Sequence, residues 1–122
     1  MRPLAIPCVE MANESHGPVA LAEALPELAI ELETLLLSEG ETALSAQVSG
    51  LQIVERCRCG DDFCSTFYVL PKPNGAYGPS HRNVSLNPEQ GMLILDVVED
   101  KIACVEVLYR DEVRTQVQAL FP

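Results

Sequence analysis

Positive charge is scarce in this chain. Eight Lys and Arg stand against eighteen Asp and Glu, a formal net charge of −10 over 122 residues. Nucleic-acid binding draws much of its affinity from neutralising phosphates, so a surface this negative makes DNA and RNA unlikely partners and favours proteins, cations or small molecules. Long apolar runs are missing as well. No stretch reaches the roughly 20 residues of a membrane-spanning helix. The segment Pro3-Leu4-Ala5-Ile6-Pro7-Cys8 is too short and too broken by proline for a secretory core, and Pro7 makes a poor lipoprotein cleavage position. The expected compartment is therefore cytoplasmic, with no membrane partner. There is also no glycine-rich phosphate loop, no internal repeat and no family-specific catalytic signature, so no enzyme activity is assigned.

Cysteine is present in excess of what a reducing compartment requires. Three of the five fall within eight residues, Cys57-Arg58-Cys59-Gly60-Asp61-Asp62-Phe63-Cys64. Clustered thiols in the cytoplasm point to metal or redox chemistry before a disulfide framework. Five is odd, so one thiol stays unpaired in any intramolecular scheme.

The patterning is that of a single α+β domain over 21–122, preceded by an extended segment over 1–20 that holds three Pro. Leu21, Leu25, Leu28, Leu32, Leu35 and Leu36 recur at helical spacing with glutamates mostly opposite. This predicts an amphipathic helix over about 20–38, with Pro26 early and Gly40 as its C-terminal cap. The leucine stripe suits packing on a sheet better than docking of a partner helix. After Gly40 the period changes to two and β-branched residues take over. Strands are expected at 47–58, 63–70, 82–86, 92–98 and 102–110, with a turn-rich loop at 71–79 and a short helical tail over 111–122.

The last hairpin reads as apolar on both sides. By strict alternation Leu93, Leu95, Val97, Ile102, Cys104 and Leu108 share one face with Glu106, while Asp96 lies on the other. On that reading the two carboxylates cannot form a pair. A hairpin apolar on both sides must be covered on both sides, by the helix and by either a curled sheet or a second subunit. One helix followed by five meandering strands is the element order of Sm-like proteins. The expected architecture is thus a helix and a five-stranded, strongly curled antiparallel sheet, an Sm-like or small open barrel.

If Gly60-Asp61 is a two-residue turn, Cys57 faces Cys64 and Cys59 faces Asp62, with all four side chains on one face. Cross-strand partners have Cβ atoms about 5 Å apart, which suits a strained disulfide or a shared metal. Zinc takes four ligands; Cys57, Cys59 and Cys64 with Asp62, or with His81 from the next loop, would complete a set. A three-residue turn would send Cys64 to the opposite face. The spacing is not that of a zinc ribbon or finger, and the plainer reading is that these cysteines are small hydrophobes. A Cys–His dyad of Cys59 or Cys64 with His16 or His81 has no supporting motif. Cys104, amid apolar neighbours, is expected in the core, and Cys8 to be an exposed bystander.

The leucine-rich Leu32–Leu37, the strand running from Val48 into Gly60 with its Cys-x-Cys-Gly turn, and the closing hairpin Met92–Leu108 with Val105-Glu106-Val107 together resemble a group of small uncharacterised bacterial proteins. This chain departs from them by inserting Asp61-Asp62-Phe63 before Cys64. The resemblance implies an architecture and no mechanism. The expected function is action through protein–protein contacts or self-association, with a zinc-binding module as the alternative and an Sm-like RNA binder as a second alternative disfavoured by charge.

Overall fold

The computed structural model describes residues 17–122. Cys8, His16 and most of the expected extended segment lie outside the described residues.

The leucine stripe forms two helices, α1 (Leu21–Ala24) and α2 (Pro26–Ser38), where one was expected. The break falls at Leu25, whose backbone leaves the helical region at φ −133° and ψ 65°. Proline disfavours a helical conformation in the residue before it, yet sits well at the first helical position. The stripe survives the break. Leu21, Leu25, Leu28, Leu32 and Leu36 are all buried, each contributing about 2 kcal/mol of transfer free energy as an upper estimate. At the other end Gly40 takes φ +76°, the Gly40 N–H donates to the Leu37 carbonyl at 3.0 Å, and the Glu41 N–H donates to Leu36 at 2.9 Å. That is the Schellman closure expected of a glycine at this place.

The strand expected over 47–58 is mostly absent. Thr42–Gln47 is a helix, α3, followed by a 3₁₀ turn at Val48–Gly50. Ala, Leu and Gln favour helix, and Leu44 and Val48, four apart, are buried in the core. The strand character is confined to two pieces, β2 (Gln52–Ile53) and β3 (Glu55–Arg56). β2 pairs with β1 (Val19–Ala20) in a small separate sheet.

The main sheet adds β4 (Phe67–Tyr68), β5 (His81–Ser85), β6 (Met92–Val98) and β7 (Lys101–Leu108), all antiparallel, in the order β3-β4-β7-β6-β5. A meander was expected; instead β7 inserts between β4 and β6, and β5 goes to the far edge. With β3 and β5 as edges the sheet is open, not a strongly curled barrel. A last helix, α4 (Asp111–Leu120), occupies the tail. Its buried Val113 and Val117, with Phe121, join α1, α2 and one face of the sheet in a single core.

The β6–β7 hairpin corrects the strict alternation. Glu99 (φ 51°) and Asp100 (φ 65°) form the turn between paired Val98 and Lys101, both in the left-handed region as a type I′ turn demands. Val97 then pairs with Ile102, but Asp96 pairs with Cys104. Ala103 is the extra residue of a β-bulge, and it reverses the parity of everything beyond it. The core face is Leu93, Leu95, Val97, Ile102, Val105 and Val107. Asp96, Cys104 and Glu106 therefore share the opposite face, the reverse of what alternation implied for Asp96 and Glu106. No folded-over part of the sheet covers that face. The chain's own segments at 57–64 and 71–79 lie against it and leave a cavity.

Candidate metal centre and the adjoining cavity

The thiol segment departs from regular pairing just after β3. Arg56 pairs with Phe67, and the Cys57 N–H donates to the Thr66 carbonyl at 2.9 Å. On the far side Cys64 bridges to Leu108, and the Tyr109 N–H donates to the Phe63 carbonyl at 2.8 Å. Residues 58–63 loop out between these anchors, with Gly60 at φ +85° and the Cys64 N–H donating to the Asp61 carbonyl at 3.3 Å. The loop is longer than a two-residue turn, so Cys57 lies opposite Thr66 and not Cys64. A slip of two residues preserves the alternation of faces, and the three thiols still converge.

The sulfurs of Cys57, Cys59 and Cys64 all lie within 4.8 Å of one another. Cys59 is exposed; Cys57 and Cys64 are half-buried and unpaired, and no disulfide forms among them. Their environments differ. Burial is the main cause that pushes the Cys57 thiol up to about 11, with the neighbouring Cys64 adding to it. For Cys64 burial acts upward too, but hydrogen bonds from the Thr66 hydroxyl and backbone and from Cys59 and Cys57 outweigh it and hold the thiol below its ordinary value. Cys64 is thus the sulfur best supported as a thiolate, with the other two thiols donating to it.

Asp62 and His81 are not part of this cluster. Asp62 lines a separate depression with Phe63, Tyr109 and Asp111. The His81 Nε2 lies 2.7 Å from Asp96 Oδ1, and its ring stacks on Tyr77 with centroids 4.7 Å apart. That bond occupies Nε2, one of the two ring nitrogens open to a Cys–His dyad or a metal, and neither ring nitrogen joins the sulfur cluster.

A cavity of about 380 Å³ joins the thiols to the bulged face. Cys57 and Cys64 form one wall, Asp96 and Glu106 another, and Tyr68 and Tyr77 the sides. The Asp96 side chain is 8% exposed. Its Oδ1 accepts from Asn83 Nδ2 at 2.7 Å, and its carboxyl is hydrogen-bonded to that of Glu106. Burial acts to raise Asp96, but the bonds from Glu106, His81 and Asn83 hold it below the usual carboxylate range. Burial first, then the hydrogen bond to Asp96 and the Asp96 charge, push Glu106 up to about 7. The pair divides its labour as coupled carboxylates do: Asp96 keeps the charge and Glu106 the proton. Cys104 also lines this cavity; it is buried as expected, yet lies outside the helix-facing core.

Asp96 and Glu106 were visible in the sequence as the two carboxylates on otherwise apolar strands. Their apposition was not, because one bulge residue reverses the count. No protein-family model, curated protein or solved structure matches the chain.

Proposed function

We propose that this protein is a metal-binding module, with Cys57, Cys59 and Cys64 as ligands to a zinc-type cation. The convergence of three sulfurs within 4.8 Å carries the reading. Around a tetrahedral zinc with Zn–S of about 2.3 Å, sulfurs stand roughly 3.8 Å apart, so a closure of about 1 Å completes the set. The 58–63 loop, free of ladder pairing, supplies that freedom. A fourth protein ligand asks for more: Asp62 must turn from its own depression, or His81 must bring a ring nitrogen to the sulfurs. A reducing compartment, the cytoplasm, is where such thiols stay available.

Native mass spectrometry of protein purified without chelator tests this. The expected spectrum carries one zinc per chain, lost in a Cys57→Ser/Cys64→Ser variant, and chelation raises amide exchange across 57–64 as the loop loosens. A bare apo mass overturns the reading.

Protein contact is the second reading. Ile30 and Leu37, seven apart on α2, are 63% and 56% exposed, an apolar pair that suits self-association or a protein partner. The subunit count in the same spectrum, compared with an Ile30→Glu/Leu37→Glu variant, tests it. An Sm-like RNA role draws little support from the basic residues. Arg56 and Arg58 hydrogen-bond the carbonyl of Pro122, and Arg82 is paired with Glu41.

A further inference from the structure

We infer that the centre is open: a cation held by Cys57, Cys59 and Cys64 takes its fourth ligand, a water or a small oxygen- or nitrogen-donor anion, from the cavity, and the Asp96–Glu106 pair exchanges a proton with that ligand. This rests on the metal reading above and adds the ligand class and the residues that receive it.

Three placements carry it. First, the sulfur cluster contains no fourth donor among the described residues. Structural zinc sites close with four protein ligands, whereas sites that react keep three and an open position. Second, two of the three thiols line the same cavity as Asp96 and Glu106, so the protein-facing side of the triad opens on those carboxylates. Third, the sheet sets the separation. Cys57 lies across from Thr66, and Thr66 across from Glu106 in the ladder that pairs Phe67 with Val105. Two cross-strand steps of about 5 Å put the Cβ atoms of Cys57 and Glu106 roughly 10 Å apart, room for a small ligand between sulfur and carboxyl. Thr66 spans the interval, hydrogen-bonded to Cys64 and accepting from the Val107 N–H at 3.2 Å.

The proton balance is simple. With Glu106 deprotonated, as it is above about pH 7, a bound water or other acidic ligand gives up its proton: its X–H bond breaks, an O–H bond forms on Glu106 and the ligand keeps the electron pair; release reverses both. Asp96 positions the acceptor. Its own orientation is fixed by Asn83 and His81, two bonds of 2.7 Å on one oxygen. The titratable groups facing Glu106 are Asp96 on β6, His81 on β5, Cys104 on β7, Tyr68 on β4, Tyr77 from the 71–79 loop, Asp61 from the 58–63 loop and the thiols themselves.

The test uses the full chain loaded with cobalt(II), read by its visible spectrum, with azide and thiocyanate as probes. Sulfur-to-cobalt charge-transfer bands are expected from three thiolates. Both anions should shift the d–d envelope, and a pH titration should shift it too, with the midpoint moved by about one unit or more in Glu106→Gln. Asp96→Asn serves as a second variant should Glu106→Gln fail to fold, and it should move the midpoint likewise. Failure to take up cobalt overturns the metal reading and this inference with it. A three-thiolate spectrum indifferent to anions and pH means a closed site with a protein fourth ligand, and overturns this inference alone. Anion binding with an unmoved midpoint in both variants removes the carboxylate pair from the role.

Discussion

Asp96 and Glu106 share one face of the sheet, carboxyl against carboxyl, the bulge at Ala103 taking up the one residue by which strict alternation would have set them on opposite faces. An apolar hairpin would otherwise bury or scatter two charges that repel. Here one is neutralised by a proton, and the other is satisfied by His81 and Asn83. Buried carboxyls are costly without such partners. Placing the pair at a cavity next to three thiols gives it something to act on.

The pair makes stability depend on pH in a particular direction. Glu106 is raised to about 7 in the folded chain against 4.5 for the free side chain. The folded state therefore binds the proton more tightly between those values, so stability falls as pH rises from about 4.5 through 7. Asp96, held low, acts oppositely and only in more acidic solution, where its protonation removes stability. Glu106→Gln keeps a donor for Asp96 and removes the charge. It should gain about 1 kcal/mol at pH 8, after discounting for a carboxyl still in contact with water, and change little at pH 5. Thermal melts at the two pH values decide it; an equal shift at both would mean that Glu106 is not proton-linked.

How much of this was legible without coordinates depends on the length of the signal. The leucine stripe, the Gly40 cap and the span Met92–Val98 rest on repeated local patterns, and all three are in the structure. The segment Thr42–Gln47 misled because its helix formers Ala43, Leu44, Ala46 and Gln47 stand beside a β-branched run, and tertiary burial of Leu44 and Val48 decided in favour of helix. The strand order was out of reach, since nothing local says that β7 will pair with β4. At the site, the thiols converged despite a misjudged turn because a two-residue slip conserves parity. The carboxylates were misplaced because a one-residue bulge does not.

Gly91 bears on the end of the same hairpin. It takes φ +68°, and a Cβ there would stand 2.4 Å from the Leu108 carbonyl oxygen and 2.9 Å from Arg110 Cγ. Backbone cannot yield as a flexible side chain can. Gly91→Ala should cost about 2–4 kcal/mol, combining the left-handed penalty with overpacking. Gly75, at φ +87° with nothing within 4 Å, is the control: its alanine variant should lose only the backbone part, about 1–2 kcal/mol. Urea unfolding of the two variants checks the contrast. Equal losses would mean that the approach to Leu108 relaxes freely.

The Glu99-Asp100 turn holds two ordinary residues at positive φ, where Asn-Gly is the favoured pair. The turn is anchored through its backbone: Gln47 donates from Nε2 to the Asp100 carbonyl at 2.7 Å and accepts from the Ile102 N–H at 3.0 Å. Glu99→Asn/Asp100→Gly should therefore stabilise the fold by about 1 kcal/mol, seen as a rise in melting temperature. A fall would show that the native side chains contribute contacts that outweigh the backbone strain.

Deleting Ala103 tests whether the bulge or the strand faces hold the carboxylates together. With Ala103 gone, Ile102 opposite Val97 is followed directly by Cys104 opposite Asp96, so the ladder becomes regular without rotating any side chain to the other face. The core residues keep their places, and so do Asp96 and Glu106. What is lost is the Ala103 carbonyl, which accepts from the Val69 and Leu70 N–H groups at 3.0 and 3.2 Å, worth about 1–2 kcal/mol in all. The deletion variant should fold with that loss and keep the fall in stability between pH 5 and 8. If it folds but its stability no longer depends on pH over that range, the bulge itself sets the pairing of the carboxyls. Replacing Ala103 with a larger residue would not separate the two ideas, because it changes bulk and leaves the count of residues, on which the faces depend, untouched.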